Sequence, residues 1–528
     1  MFICSGFHTA TVSGKCWNTK KTRILPLCIL LVFLLLFLTL SNQGFTVKIK
    51  GHDSQIVSDH NASENSFTQF EAGTSDKNVY KDSPKDMPVE TVISRRMSLR
   101  QYDLNVAVPW ESVSKVLWAA YGYSWSGRTV PSLSAYPVII YVCNETAAYK
   151  FVPKNKSLTL FKAGDYRGLG LDGGWSYDAP TQLYIVLDMN TSPDILWGNA
   201  ESGCAIQNIY LMANALDLGT VCTYPNRTDI HQGLGLPLNE NVLYKMPLGY
   251  PLPPYASYEN LVPTFRPSSL ELPEIQDSNV SLEEALDSVF SSDDWSNDPV
   301  TFQELSQILW ASYGYSYNED TAAIPPTRHR TVPSAHGYYP MKVYAADSSG
   351  VYEYLPEQHT LTAIVNEDRR LSIAQASGNA WASSAPLIIA VAYVEDSRPW
   401  IGGEETYVEA GLIAQNVYLE SAGWGLIADW SKANTNEEAV KEALGLTGQT
   451  QLHPVSIITV GHPLLPADLN RDGVVNILDM FRIALAFGSR PWEPRWNGMA
   501  DMNRDGVINI IDIYLAAKDF GLRAPATT

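Results

Sequence analysis

The stretch "RTVPSLSAYPVIIYV" begins at Arg128, and "RTVPSAHGYYPMKVY" begins at Arg330. Each joins a Pro-Ser turn to a run of β-branched and aromatic residues, the composition of a buried strand. The same unit spelled twice points to duplication, and the flanks extend the match. "VLWAAYGYS" at Val116 pairs with "ILWASYGYS" at Ile308, and "AAYKFVPKNKSLTL" pairs with "GVYEYLPEQHTLTA". "ESGCAIQNIYL" at Glu201 pairs with "EAGLIAQNVYL" at Glu409, and "MPLGYP" pairs with "ITVGHP". The spacing grows from 192 between Val116 and Ile308 to 212 between Pro251 and Pro463. Insertions therefore fall in loops, while the order of elements is kept.

Each copy reads as α+β. "WESVSKVLWAAYG" and "GCAIQNIYLMANALDLG" carry apolar residues at helical spacing, and the second is expected to stop at Gly219. "PVIIYVC" and "TQLYIVLDM" are short runs suited to buried strands. Helices packed on a small antiparallel sheet follow for both copies.

A chain of 528 residues is too long for one core and implies about three domains. With 45% apolar and 18% charged residues it has a globular composition. A net charge of −19 excludes a nucleic-acid partner, which would need a basic face. Lys15, Lys20, Lys21 and Arg23 precede an uncharged run over 24–40. That length is close to the roughly 20 residues that span a bilayer, and no A-x-A cleavage site follows. The run is expected to be a transmembrane anchor or signal segment. Residues 1–23 would then be cytoplasmic, 41–90 a polar stalk and everything beyond exported. Only Cys143, Cys204 and Cys222 lie in the exported part, and an odd number cannot complete a disulfide framework.

Before the first copy stands "SRRMSLRQY", in which Arg96, Ser98 and Arg100 alternate. In an extended segment alternate side chains share a face, and guanidinium forks suit a phosphate dianion. Together with the "LWAAYGY" helix, the "RTVPS…YP" turn, the "E-x-G-x-x-x-Q-N" helix and "PLGYP", this chain resembles the nitroreductase family of FMN-dependent oxidoreductases, nearest its azoline-dehydrogenase branch. The resemblance covers 91–266 and 299–463, with 267–298 as a linker.

The resemblance implies two fused nitroreductase-like α/β sandwich domains that form an intramolecular pseudo-dimer. In this family one subunit grips the FMN phosphate while the other lays its Pro-Ser turn against the ring. By that pattern Arg96, Ser98, Arg100 and Arg266 (in "LVPTFRP") would hold the phosphate, with Pro333 and Ser334 beside the ring. Pro131 and Ser132 would face a second, degenerate site. Counting back from Ile308 puts Ser288, Phe290 and Ser292 where the cradle should be, within an acidic "LDSVFSSDDW". One FMN per chain is expected, serving a small-molecule oxidant or reductant. No catalytic residue stands out. Asp165 and Arg167 read as a loop ion pair, and His329 and His336 flank the second turn. A flavin-free fold that presents a binding surface is the competing reading.

The last sixty or so residues hold "DLNRDGVVNILD" from Asp468 and "DMNRDGVINIID" from Asp501. Oxygen-bearing side chains at loop positions 1, 3, 5, 9 and 12, with glycine at 6, suit a hard cation that takes six to eight oxygens. Asp468, Asn470, Asp472, Asn476 and Asp479 with the Val474 carbonyl would bind one Ca²⁺. Asp501, Asn503, Asp505, Asn509 and Asp512 with the Val507 carbonyl would bind a second. Aspartate at position 12 and a repeat of 33 residues resemble a type I dockerin, a small all-α module over 467–522. That resemblance implies a cohesin-like partner met by Ile477, Leu478, Ile510 and Ile511, and an extracellular setting.

Overall fold

The two longest helices are buried on nearly every side, which explains why neither shows a clean polar stripe. In the first copy α1 (Val89–Arg95) and α2 (Trp110–Tyr121) precede β1 (Val138–Cys143), β2 (Ala147–Val152), β3 (Ser157–Ala163) and β4 (Thr181–Asp188). Then come α3 (Ile195–Ala215), β5 (Gly219–Thr220), α4 (Arg227–Leu234) and β6 (Glu240–Gly249), followed by the arm strand β7 (Leu261–Pro263). The second copy repeats the plan with α5 (Leu282–Ser288), α6 (Phe302–Tyr313), the hairpin β8 (Tyr315–Asp320) and β9 (Thr327–Arg330), and β10 (Met341–Ala346), β11 (Val351–Leu355) and β12 (Thr360–Val365). It continues with α7 (Arg370–Ala376), β13 (Leu387–Val394), α8 (Glu404–Gly423), β14 (Ile427–Lys432), α9 (Glu437–Ala443) and β15 (Leu452–Gly461). The tail holds α10 (Ile477–Ala486) and α11 (Ile510–Lys518).

This computed structural model describes residues 87–523, except 125–126, 134–135, 172–176, 257, 265–271, 290–294, 297, 434, 471–473, 491–494 and 504. The expected anchor 24–40, nearly all of the stalk, Arg266, Phe290, Ser292 and Asp472 lie outside the described residues. Among the described residues no helix is long and apolar enough to cross a membrane.

Each copy builds a six-stranded sheet, ordered β3-β2-β1-β4-β6-β5 in the first and β12-β11-β10-β13-β15-β14 in the second. The described pairings are antiparallel, as in β1–β4 and β10–β13. The two copies meet along α3 and α8, whose backbones cross at paired glycines. A Cβ built on Gly203 would lie 2.2 Å from the Val408 carbonyl oxygen, and one on Gly411 would lie 1.8 Å from that of Ala200. Both distances are far inside van der Waals contact, so the close crossing requires glycine twice. This crossing makes the chain a pseudo-dimer within one polypeptide.

The buried side-chain amides at the crossing place their N–H donors on carbonyls within and across the copies. Asn208 Nδ2 donates to the Ala119 and Thr129 carbonyls of its own copy, at 2.8 and 3.1 Å. Gln207 Nε2 reaches over to the Thr331 carbonyl at 3.2 Å and to Asn416 Oδ1 at 2.8 Å. Gln415 Nε2 returns the gesture to the Thr129 carbonyl at 3.1 Å, and Asn416 Nδ2 holds the Ala311 carbonyl at 2.8 Å. The Gln-Asn dipeptide thus ties each copy's own Arg-Thr-Val-Pro-Ser turn to the other copy's helix, which is why the two motifs recur together.

Three sequence expectations need correction. Helix α3 ends at Ala215, well before Gly219; Leu216 caps it and the left-handed residue that turns the chain is Asp217 (φ 54°), while Gly219 opens β5. Residues 267–298 are not a plain linker, since they contain α5, capped by a reciprocal Ser281–Glu284 box. The second copy's fold therefore begins before 299. Finally, α1 and α5 end on residues of nearly identical backbone, Arg96 (φ −58°, ψ 121°) and Val289 (φ −58°, ψ 120°). The matching bridges Tyr102–Pro251 and Trp295–Pro463 give the same alignment. Arg96 thus corresponds to Val289, one residue past the Ser288 reached by counting from Ile308.

The extra residues of the second copy form the β8–β9 hairpin, and β7 of the first copy pairs with β8. The first copy's C-terminal arm is thereby clasped by the second. Buried Asp320 accepts from Tyr255 at 2.9 Å and from Asn260 at 2.7 Å, both on that arm.

Candidate functional site

A cavity of about 670 Å³ opens between the copies, in the size range of cofactor pockets. The first copy contributes Ser98 and Arg100 at one end, and the second contributes Pro333, Ser334 and Glu409. Between them lie an apolar floor that includes Ile206, Val221 and Leu412 and aromatic walls from Tyr210, Tyr224, Tyr244 and Tyr338. Four of the six residues expected around FMN are thus brought to one cleft: Ser98, Arg100, Pro333 and Ser334. Arg266 lies outside the described residues.

Arg96 is the exception. It does not line the cavity, because it closes α1 rather than continuing an extended strand, so the alternating pattern does not place it on the same face as Ser98 and Arg100. Its guanidinium is 3% exposed and donates through Nε and Nη2 to the Arg330 carbonyl of the second copy, at 3.2 and 3.0 Å. Nη1 has no hydrogen-bond partner. Burial pulls its proton affinity down, yet an arginine stays charged, so an unmatched buried donor invites an anion. Ser98 Oγ lies 3.2 Å from the Tyr210 hydroxyl, whose titration burial pushes up to about 12. Arg100 is exposed, and its Nη1 donates to the Ser98 carbonyl at 3.1 Å. A cation and a hydroxyl beside an apolar and aromatic lining suit a planar ring with an anionic tail.

The opposite wall is held by the glutamate of the repeated E-x-G motif. Ser334 Oγ and the Tyr313 hydroxyl each donate to a Glu409 carboxylate oxygen at 2.6 Å. Burial lifts the Glu409 carboxyl to about 7. The first copy repeats the device, with Ser132 Oγ and the Leu133 amide on Glu201 at 2.9 and 2.8 Å. Sequence reasoning missed these carboxylates, although their place in both copies of the motif was a signal. It also missed Cys222, a cavity residue whose thiol is pushed up by burial and is no activated nucleophile.

The two histidines that flank the second turn have distinct surroundings. His329 Nε2 sits 3.1 Å from Asp320 Oδ2, with burial lowering its proton affinity. His336 lines the cavity in a left-handed conformation (φ 56°), its ring 4.8 Å from that of Trp400. Asp165 and Arg167 form a bidentate pair at 2.9 and 2.6 Å away from the cavity lining.

Among the described residues, the matching positions on the other side differ in chemistry. Val289, buried and apolar, replaces Arg96, and Trp295 replaces Tyr102. Leu218 and Leu426 close the two long helices identically, each donating at 2.8 Å to the carbonyl five residues back. That alignment sets Trp430, an indole only 4% exposed, where Cys222 stands in the first copy.

In the tail, each loop runs into its helix through a reciprocal capping box. Asp479 accepts from the Asn470 and Asn476 amides at 3.0 and 2.8 Å, and Asp512 accepts from the Asn503 and Asn509 amides at 3.3 and 2.7 Å. Asp501 accepts from the Asp505 and Gly506 amides, and burial together with the nearby Asp512 charge raises its proton affinity. Asp468, Asp479, Asp501 and Asp512 are all buried, a donor set of hard oxygens that fits a divalent cation in kind. Among the described residues, however, no three acidic, histidine or cysteine side chains are gathered as a metal cluster. The two units pair about a local two-fold: Gly521 N donates to the Val475 carbonyl at 2.7 Å, and Gly488 N donates to that of Ile508 at 2.8 Å. Ile477, Leu478, Ile510 and Ile511 are exposed.

Comparison with known proteins agrees with this architecture. The nitroreductase family model matches residues 93–250 and 294–462, and the dockerin type I model matches 466–519. A Methanocaldococcus jannaschii protein that carries the nitroreductase name is 33% identical over 168 residues, spanning 30% of this chain and 80% of the relative. A solved Anabaena variabilis structure of the same description superposes with a TM-score of 0.53 at 16% identity, covering 70% of this chain and 94% of that one. That share is too large for one copy, so the likeness in fold runs over both. Nitroreductases typically bind FMN and dockerins bind calcium and a cohesin partner, mostly in extracellular or cell-surface proteins. This chain belongs to the nitroreductase family, as an oxidoreductase fold duplicated within one polypeptide and followed by a dockerin domain.

Proposed function

We propose that the chain is an exported, FMN-dependent oxidoreductase with one flavin per chain, attached to a protein assembly by its dockerin. The observation that carries the reading is the cleft in which Ser98 and Arg100 of the first copy meet Pro333 and Ser334 of the second. Bound FMN supplies the electron transfer itself. The chain's own residues do the rest. Arg100 and Ser98 suit the phosphate, with Arg266 as a further candidate, while Arg96, which does not line the cleft, would support that end through its charge alone. The Pro333–Ser334 turn, pinned by Glu409, backs the ring, and the aromatic walls leave room for a small-molecule oxidant or reductant. The basic N-terminus and the 24–40 segment would carry the rest of the chain across the membrane, leaving it anchored or secreted. Calcium would be held by the Asp468–Asp479 and Asp501–Asp512 loops, one ion each.

Flavin quantitation on the purified full chain tests this directly. The expected result is a yellow protein with one FMN per polypeptide. Two flavins would mean that the second half is intact after all, and none would leave a fold that only presents a binding surface.

A further inference from the structure

The helix α5 that leads into the matching segment of the second copy has a contact of its own. Trp496 Nε1, in the tail, donates to the Asn279 carbonyl at 3.2 Å, and Asn279 itself is left-handed (φ 60°). Gly498 lies so close that a Cβ there would fall 2.6 Å from Val280 Cγ2. A groove of about 410 Å³ runs on from this contact, with Glu284, Asp287 and Ser288 of α5 on one wall and Arg482 and Arg495 of the tail on the other. Its charges are complementary, which favours one orientation of the tail over others. Leu469 and Asn470, in the first candidate calcium loop, line the same groove, and Arg482 Nη1 holds the Leu469 carbonyl at 2.8 Å.

The connection upstream is also tied down. Pro463 is bridged to Trp295, Ser296 N donates to the His462 carbonyl at 2.9 Å, and His462 Nε2 lies 3.3 Å from Glu304. Only Leu464–Ala467 separate Pro463 from Asp468, too short a tether for the tail to range freely.

We propose that residues 279–288 of the second copy are a docking seat for the calcium-binding tail, so that loading the tail with calcium also stabilises the seat and fixes the tail against the oxidoreductase body. This rests on the calcium reading above and extends it. An ion in the first loop would order Asn470 and the Leu469–Arg482 pair, the groups that face α5, and metal binding and folding are coupled in small sites of this kind.

Hydrogen-exchange mass spectrometry on the full chain, in calcium chloride and after chelation with EDTA, tests the coupling. Residues 466–519 should lose protection on chelation, and exchange at 279–288 should quicken with them by about tenfold or more, as expected for a shared opening unit. Trp496→Ala and Gly498→Val should each keep the calcium response of 466–519 and lose it at 279–288. Exchange at 279–288 that ignores calcium while 466–519 responds would overturn the seat. Silence in both segments would remove the calcium reading and the coupling with it.

Discussion

Arg96 and Val289 end equivalent helices with almost the same backbone angles, yet one is a buried guanidinium with an open donor and the other an isopropyl group. Cys222 and Trp430 make the same contrast at equivalent positions after the long helices, a thiol beside a cavity in one copy and a buried indole in the other. The groups that join the copies have not diverged in this way. Gly203 and Gly411, Glu201 and Glu409, and the two Gln-Asn pairs do matching work on both sides. Duplication has thus preserved the scaffold symmetrically and kept the chemistry of the cleft once. The reason is physical. A crossing of two helices fails if either side changes, whereas a ligand site can be lost from one half without unfolding the other.

The symmetric part should break most severely. In Gly411→Val the new side chain would meet the Ala200 carbonyl, whose backbone cannot yield. The cost should exceed about 4 kcal/mol, at the extreme end of single substitutions, and both copies should melt together at a much lower temperature by calorimetry. Melting of one copy with the other unchanged would show that the crossing is not shared.

The asymmetric part should break without unfolding. Arg100 is exposed, so Arg100→Glu should leave stability within about 0.5 kcal/mol while reversing the charge at the proposed phosphate end. Flavin affinity should fall by about a hundredfold, given roughly 1.5–3 kcal/mol per charged hydrogen bond and added repulsion. Unchanged flavin retention would place the phosphate elsewhere.

A finer test concerns pH. The Glu409 carboxyl titrates near 7 in the fold, against an ordinary value of 4.5, because burial disfavours its charge. Between those values the folded chain holds a proton that the unfolded chain has released. Stability is therefore highest below pH 4.5 as far as this group is concerned, and falls as pH rises to about 7. The loss amounts to about 3 kcal/mol at 1.36 kcal/mol per pH unit, and Glu409→Gln should remove that slope from a denaturant-based pH profile. An unaltered slope would mean that Glu409 is already ionised beside Ser334 and Tyr313.

Much of this was legible along the chain. The repeated turn gave away the duplication because the β-branched strand, the Pro-Ser turn and the Gln-Asn helix are each local patterns. The tail loops were legible for the same reason, since their oxygens recur at fixed spacing. The one-residue error at Ser288 and the hidden helix α5 arose where insertions shift the count and only packing restores it. Arg96 was misjudged because its orientation depends on the Arg330 carbonyl, 234 residues away in sequence.

The amino-acid order alone fixed that there are two copies, where their strands and long helices lie, and that the cationic segment precedes only the first. Folding in three dimensions decided that the glycines of α3 and α8 touch, that the cleft draws one wall from each copy, and that the tail rests on the half without the cradle. Periodicity and composition act over a few residues and so survive in a linear reading. The crossing, the cleft and the seat arise from contacts between distant segments, which no local pattern encodes.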